Sequence, residues 1–109
     1  MLSRIFKDIY PRYHAMTGER VPRKGGWDCH GLPIELQVEK ELGGRKRDMN
    51  VVEFRRACRA YAERWVGIQR EDFKRLGILG QWDDPYLTMS FDYQAAIVRA
   101  LGRFVERGM

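Results

Sequence analysis

Apolar residues recur at helical spacing in four stretches of the chain. Leu2, Ile5, Phe6, Ile9, Tyr10, Tyr13 and Met16 form the first stripe, and that period predicts an amphipathic helix from residue 2 to about residue 16. Pro11 falls inside the stripe and is expected to kink the helix or end it early, because proline has no backbone N–H. The stripe is in full stride at Leu2 with no capping residue before it, so the start of the helix is expected to lie outside this sequence. Gly18 is the expected stop. Val21-Pro22-Arg23-Lys24 then reads as a short extended segment. Pro33 suits the first turn of a second helix, which continues through Ile34 to Leu42 and closes at Gly43-Gly44.

Asn50 stands three residues before Glu53, an approximate capping box, and a long third helix follows. Its stripe is Phe54, Ala57, Cys58, Tyr61, Ala62, Trp65, Val66, Phe73 and Leu76, and Gly77 is the expected C-cap. Trp65 is expected in the core. The stretch from Ile78 to Met89 reads as a loop, with Trp82-Asp83-Asp84-Pro85 as a turn and Trp82 packing the loop down. Ser90 can cap a last helix whose stripe is Ile97, Val98, Leu101, Phe104 and Val105, ending at Gly108. These signals predict four helices and one extended piece. Helix, extended piece, glycine-rich turn and helix in that order belong to an α/β crossover. One strand makes no sheet, so its partners are expected outside this chain or on another one.

Composition narrows the class. A length of 109 residues allows one domain with a modest core. Hydrophobic residues make up 44% and charged residues 32%, which is too apolar for a disordered chain and too charged for a membrane protein. No apolar run approaches the roughly 18 residues of a spanning helix. The charges at Arg4, Lys7 and Asp8 do not fit the apolar core of a signal peptide. Cys29 and Cys58 form neither a disulfide framework nor a CxxC knuckle, and read as reduced thiols of an intracellular protein. The net charge of +5 and pI near 9.5 favour contact with something anionic. The basic residues are dispersed, however. The tightest cluster, Arg45-Lys46-Arg47, reads as a solvated loop. Arg55, Arg56, Arg59, Arg64, Arg70, Lys74 and Arg75 read as the solvated face of the long helix, with Glu71–Arg75 as ordinary i,i+4 support.

The densest chemistry lies in Gly25-Gly26-Trp27-Asp28-Cys29-His30-Gly31-Leu32-Pro33. Its three glycines allow unusual dihedrals and close approach of a ligand. Asp28 is expected to be partly desolvated among backbone N–H groups and therefore to need a partner. Two readings stand: it ties the turn to its own backbone, or it meets a substrate ammonium through a charge-assisted hydrogen bond. Cys29 and His30 are adjacent and should point to opposite faces, which disfavours joint metal ligation, and no third or fourth ligand lies nearby. Cys–His nucleophilic catalysis needs a geometry that adjacency does not supply. Cys29 reads as structural, while His30 can equally reach a ligand phosphate or hydroxyl. Trp27 can wall a pocket or pack the core. His14, on the first helix, reads as surface or packing.

Those residues also carry a resemblance. Gly26-Trp27-Asp28-Cys29-His30-Gly31-Leu32-Pro33-Ile34-Glu35 resembles the signature that follows the first nucleotide-binding motif of isoleucyl-tRNA synthetases, which are class I aminoacyl-tRNA synthetases. The related leucine enzymes carry Gly-Trp-Asp-Ala-Phe-Gly there and the valine enzymes Gly-Thr-Asp-His-Ala-Gly, so the Cys29-His30 pair points to isoleucine. The resemblance extends through Lys7-Asp8-Ile9 to Met16-Thr17-Gly18, then Gln69 to Gly77, then Trp82 to Met89. It implies an α/β fold: an incomplete piece of the Rossmann-like catalytic domain over residues 1–109, predominantly helical, truncated at both ends and without the editing or anticodon-binding domains. Met1 would align just past the His-Ile-Gly-His motif that binds ATP, and the Lys-Met-Ser-Lys-Ser motif does not occur in the chain.

The resemblance further implies an enzyme that activates isoleucine with ATP and magnesium and passes it to its tRNA. Asp28 would contact the α-ammonium of the amino acid. Trp27 and His30 would line the amino acid pocket, and Gly26, Gly31, Pro33 and Glu35 would belong to the same motif, with a structural role for Glu35 equally open. No catalytic residue and no metal ligand is assigned within the chain, and no motif in it binds ATP. Its partners would be tRNA, isoleucine, ATP and the remainder of a synthetase chain, in the cytoplasm and not at a membrane. The isolated chain is expected to be inactive, with apolar faces exposed where further strands would pack. The competing class is a basic helical module that binds RNA or protein without catalysis.

Overall fold

The computed structural model describes residues 2–108, without the side chains at positions 2, 46 and 47. Arg45 of the expected solvated cluster is exposed, while the side chains of Lys46 and Arg47 and the place of Leu2 in the first stripe lie outside the described residues. The elements run α1 (Leu2–Met16), β1 (Lys24–Trp27), α2 (Leu32–Leu42), a 3-10 segment (Gly43–Asp48), α3 (Val51–Arg75), β2 (Gln81–Leu87) and α4 (Phe91–Glu106). The chain is mostly helical with a small parallel sheet. It divides into two compact units, Met1–Gly26 with Gly67–Tyr86, and Trp27–Val66 with Leu87–Met109.

In the first unit α1 continues through Pro11 to Met16, so the helix does not end early at the proline. Side chains bracket the turn that contains the proline. Arg12 donates to Asp8 one turn back at 3.0 Å and to the Gly77 carbonyl at 2.6 Å, while Arg23 also pairs with Asp8. Burial alone would raise the Asp8 carboxyl, but the hydrogen bonds and charges of Arg23 and Arg12 outweigh it and hold the group below its ordinary value. His14 bonds Glu19 at 2.9 Å and lies against the rings of Tyr10 and Tyr13.

β2 replaces the expected loop. The Arg23 carbonyl accepts from the Gln81 N–H at 2.8 Å, and the Trp27 carbonyl accepts from the Thr88 N–H at 3.2 Å just past the strand. Both strands advance in the same direction, so the β1-β2 pair is parallel. The strand partner expected outside the chain is thus supplied within it. Asp83-Asp84-Pro85 reads locally as a turn, yet β2 pairs with one neighbour among the described residues, and an edge strand tolerates proline. Lys24 meets Asp84 across the pair at 2.5 Å. Trp82 stacks on Phe73 with ring centroids 6.0 Å apart and donates to the Ile78 carbonyl.

In the second unit the small core is Cys29, Ala62 and Met89, with Trp27, Ile34, Val66 and Leu87 packed against it. The Asn50–Glu53 capping box forms as expected, with bonds of 2.9 and 3.0 Å in the two directions. Ser90 caps α4 by accepting from the Tyr93 N–H at 3.3 Å. Trp65 is not core: it is 40% exposed and touches Tyr61. In the first unit Glu71 meets Lys74 at 3.2 Å and Arg70 at 3.8 Å. Among the described residues no helix is long and apolar enough to cross a membrane.

Candidate functional site

The turn from β1 into α2 holds the sequence-predicted site residues of the second unit. Gly31 sets its geometry. Its φ of 111° lies where side chains are strongly disfavoured, and it stands at the N-cap of α2. Pro33 follows in the first turn of that helix, where its missing N–H is no loss. Gly26, in the first unit, lies beside Tyr86, whose ring and Cβ would be in ordinary contact with a Cβ at that position, at 3.4 and 3.5 Å.

The loop alternates its side chains. Cys29 turns inward and is buried, while Asp28 and His30 turn outward. The Asp28 side chain is 77% exposed, which corrects the expected desolvation. The carboxylate reaches solvent because the buried position of the loop is taken by its neighbour. His30 Nδ1 lies 3.7 Å from Asp28 Oδ1, beyond hydrogen-bond length but close enough for attraction when the imidazole is protonated. Trp27 packs against the Cys29–Ala62–Met89 cluster. Glu35 is exposed in the first turn of α2. The structure therefore brings Asp28 and His30 together and sets Trp27 on the core side.

Thr88 and Arg59 complete the arrangement. Thr88 Oγ1 accepts from the Cys29 N–H at 2.8 Å and donates to Asp28 Oδ1 at 3.1 Å. The turn that carries Thr88 is pinned by Arg59, which donates to the Met89 carbonyl at 2.7 Å and lies over the Phe91 ring. Neither residue stood out as a site residue in the sequence. Thr88 belongs to the Trp82–Met89 block of the resemblance, and Arg59 read as one of many solvated arginines.

A cavity of about 550 Å³ opens beside the loop, lined among others by Cys29, His30, Glu35, Cys58, Arg59 and Met89. Asp28 is not among its lining residues. Burial pushes the Cys29 thiol above its ordinary value, against smaller opposing pulls from the Met89 and Thr88 backbone. Burial and the Glu35 charge push Cys58 up as well. Both thiols are thus kept protonated near neutral pH and make poor nucleophiles. Among the described residues no group of three or more His, Cys, Asp or Glu side chains is placed to hold a metal ion.

Two parallel strands joined through helices, with a glycine turn and an exposed carboxylate at the end of the first strand, fit a partial Rossmann-like α/β domain. The whole of residues 1–109 matches the family model of tRNA synthetases class I (I, L, M and V), and the chain belongs to that family. Over 107 residues it is 56% identical to the isoleucine–tRNA ligase of Syntrophotalea carbinolica, covering 98% of this chain and 12% of that protein. It is 53% identical to the isoleucine–tRNA ligase of Geobacter sulfurreducens, with the same coverage of 98% and 12%. The isoleucine–tRNA ligase of Aquifex aeolicus is 51% identical over 111 residues, 99% of this chain and 12% of that protein. The chain thus spans about 12% of the length of these curated relatives.

Proposed function

We propose that this chain is the amino-acid-binding segment of an isoleucine–tRNA ligase, part of a Rossmann-like catalytic domain, acting in cytoplasmic translation. The observation that carries the reading is the exposed Asp28 carboxylate, fixed at a strand end by the Thr88 hydroxyl. A carboxylate held outward in one orientation is suited to an ammonium ligand through a charge-assisted hydrogen bond. In the reaction the isoleucine carboxylate oxygen attacks the α-phosphorus of ATP, and pyrophosphate leaves. A terminal ribose hydroxyl of the tRNA then attacks the carbonyl of the adenylate and AMP leaves. The part of this chain is to orient the amino acid so that its carboxylate meets the phosphorus in line. Magnesium enters this reading as a companion of the ATP phosphates. His30, whose Nδ1 lies 3.7 Å from Asp28 Oδ1, flanks the same carboxylate, and Trp27 packs on the core side of the loop. The Gly31 dihedral and Pro33 in the first turn of α2 give those two motif residues a positioning role.

The test is a transplant. The matching segment of the Syntrophotalea carbinolica ligase is replaced by this sequence, and isoleucine-dependent ATP–pyrophosphate exchange is measured. Exchange within about tenfold of the parent, lost in Asp28→Asn, is the expected result. Near-normal exchange in Asp28→Asn overturns the role of Asp28. The 109-residue chain alone is expected to give no exchange, because it contains neither ATP motif of the family.

A further inference from the structure

The Thr88 hydroxyl has only one arrangement open to it. The Cys29 N–H can only donate, so Thr88 Oγ1 must accept there, at 2.8 Å. A hydroxyl carries one proton, and with that lone pair engaged the proton is free to point at Asp28 Oδ1, 3.1 Å away. A carboxylate can only accept. The donor and acceptor roles therefore close on one solution. Thr88 itself is 9% exposed, so water competes little for its proton. Its backbone is tied in the same place, because its N–H donates to the Trp27 carbonyl at 3.2 Å.

The next layer holds the threonine. Arg59 donates to the Met89 carbonyl at 2.7 Å, lies 4.6 Å from the Phe91 ring centroid, and meets Glu63 at 3.3 Å. A cation fixed on three sides clamps the turn between β2 and α4. The line from α3 to the carboxylate is then Arg59, the Met89 carbonyl, the Thr88 hydroxyl and Asp28. An exposed aspartate with free rotamers would spend part of its time turned away from a ligand. One oxygen held by Thr88 leaves the other presented outward.

We infer that Thr88 is the positioning residue that aims the Asp28 carboxylate at the amino acid ammonium, and that its hydroxyl sets the affinity for the amino acid. This rests on the reading of Asp28 given above. Thr88 touches no reacting atom and acts only through Asp28.

The experiment uses the full-length ligase carrying this sequence, with pyrophosphate exchange as the readout at a temperature well below the melt. Thr88→Val keeps shape and removes the hydroxyl. The expected result is an isoleucine KM raised by about tenfold with the ATP KM and kcat nearly unchanged, the scale of one hydrogen bond to a charged group. Thr88→Ser restores the hydroxyl and should bring the isoleucine KM back to within about twofold of the parent. If Thr88→Val lowers the melt below the assay temperature, Thr88→Cys takes its place with the same expected direction, since a thiol is a weaker donor. An unchanged isoleucine KM overturns the inference, as does an equal rise in both KM values that Thr88→Ser fails to reverse. Asp28→Asn separates the two levels. If it leaves the isoleucine KM unchanged, the reading of Asp28 itself fails. If it raises the isoleucine KM while Thr88→Val does not, only the positioning role fails.

Discussion

Asp8 accepts from two guanidinium groups, Arg12 and Arg23, and so ties α1 to the segment that enters β1. Its carboxyl is held below the ordinary value of 3.8. A depressed native pKa means that the unfolded chain binds the proton more readily. The stabilisation is therefore fully present above the unfolded value and is lost as pH falls through the lower native one. Asp8→Asn should lower the melting midpoint by several degrees at pH 7, and the gap between parent and variant should close as the pH is brought well below 4. A gap independent of pH in thermal melts would show that the charge is not the cause. Asp28 is the contrasting case, because its carboxylate is exposed and takes one bond from a threonine. The motif around Asp28 was legible in the sequence as a dense run of glycine, tryptophan and acid. Thr88 was not, because a hydroxyl sixty residues away, like any threonine, carries no local mark of its partner.

Caps behave differently from pairings. The Asn50–Glu53 box and the Ser90 cap involve residues three apart, so their physics is local and the sequence shows them. Asn50→Ala should cost about 1 kcal/mol, seen as a lower denaturation midpoint in urea, with little change for Glu53→Gln, which keeps an acceptor. An Asn50→Ala midpoint equal to the parent would mean that tertiary contacts alone hold the start of α3. Pro11 gives the opposite lesson. Its lost backbone bond and ring clash are local penalties, yet α1 continues through it, with Arg12 bonded to both Asp8 and the Gly77 carbonyl. Pro11→Ala is expected to raise the melting midpoint, since it removes the penalty and leaves the bracket. β2 reads as a loop from its sequence for the same kind of reason. Asp83-Asp84-Pro85 favours a turn by itself, and only the Arg23 and Trp27 carbonyls, far away in sequence, make the segment a strand.

Taken whole, the chain leaves much apolar surface in contact with water. The described residues that are both buried and apolar are Cys29, Val38, Ala62 and Met89, all in the second unit. On α4, Val98 is 68% and Val105 69% exposed, and they lie seven residues apart on one face. A stripe of this kind is a liability in water. The chain should self-associate, with a sedimentation coefficient that rises with concentration, and Val98→Glu with Val105→Lys should reduce that rise. A clean monomer with a sharp cooperative melt would count against the expectation. Helix positions, caps, the glycine turn and the family motif are short-range features, encoded by residues within a few places of one another, and they could be read without coordinates. The strand pairing, the passage of α1 through Pro11, the outward turn of Asp28 and its hold by Thr88 needed tertiary structure. The strand pairing, the Arg12–Gly77 bond and the Thr88–Asp28 bond join groups sixty or so residues apart, where partner identity is a matter of chain geometry rather than of neighbouring side chains.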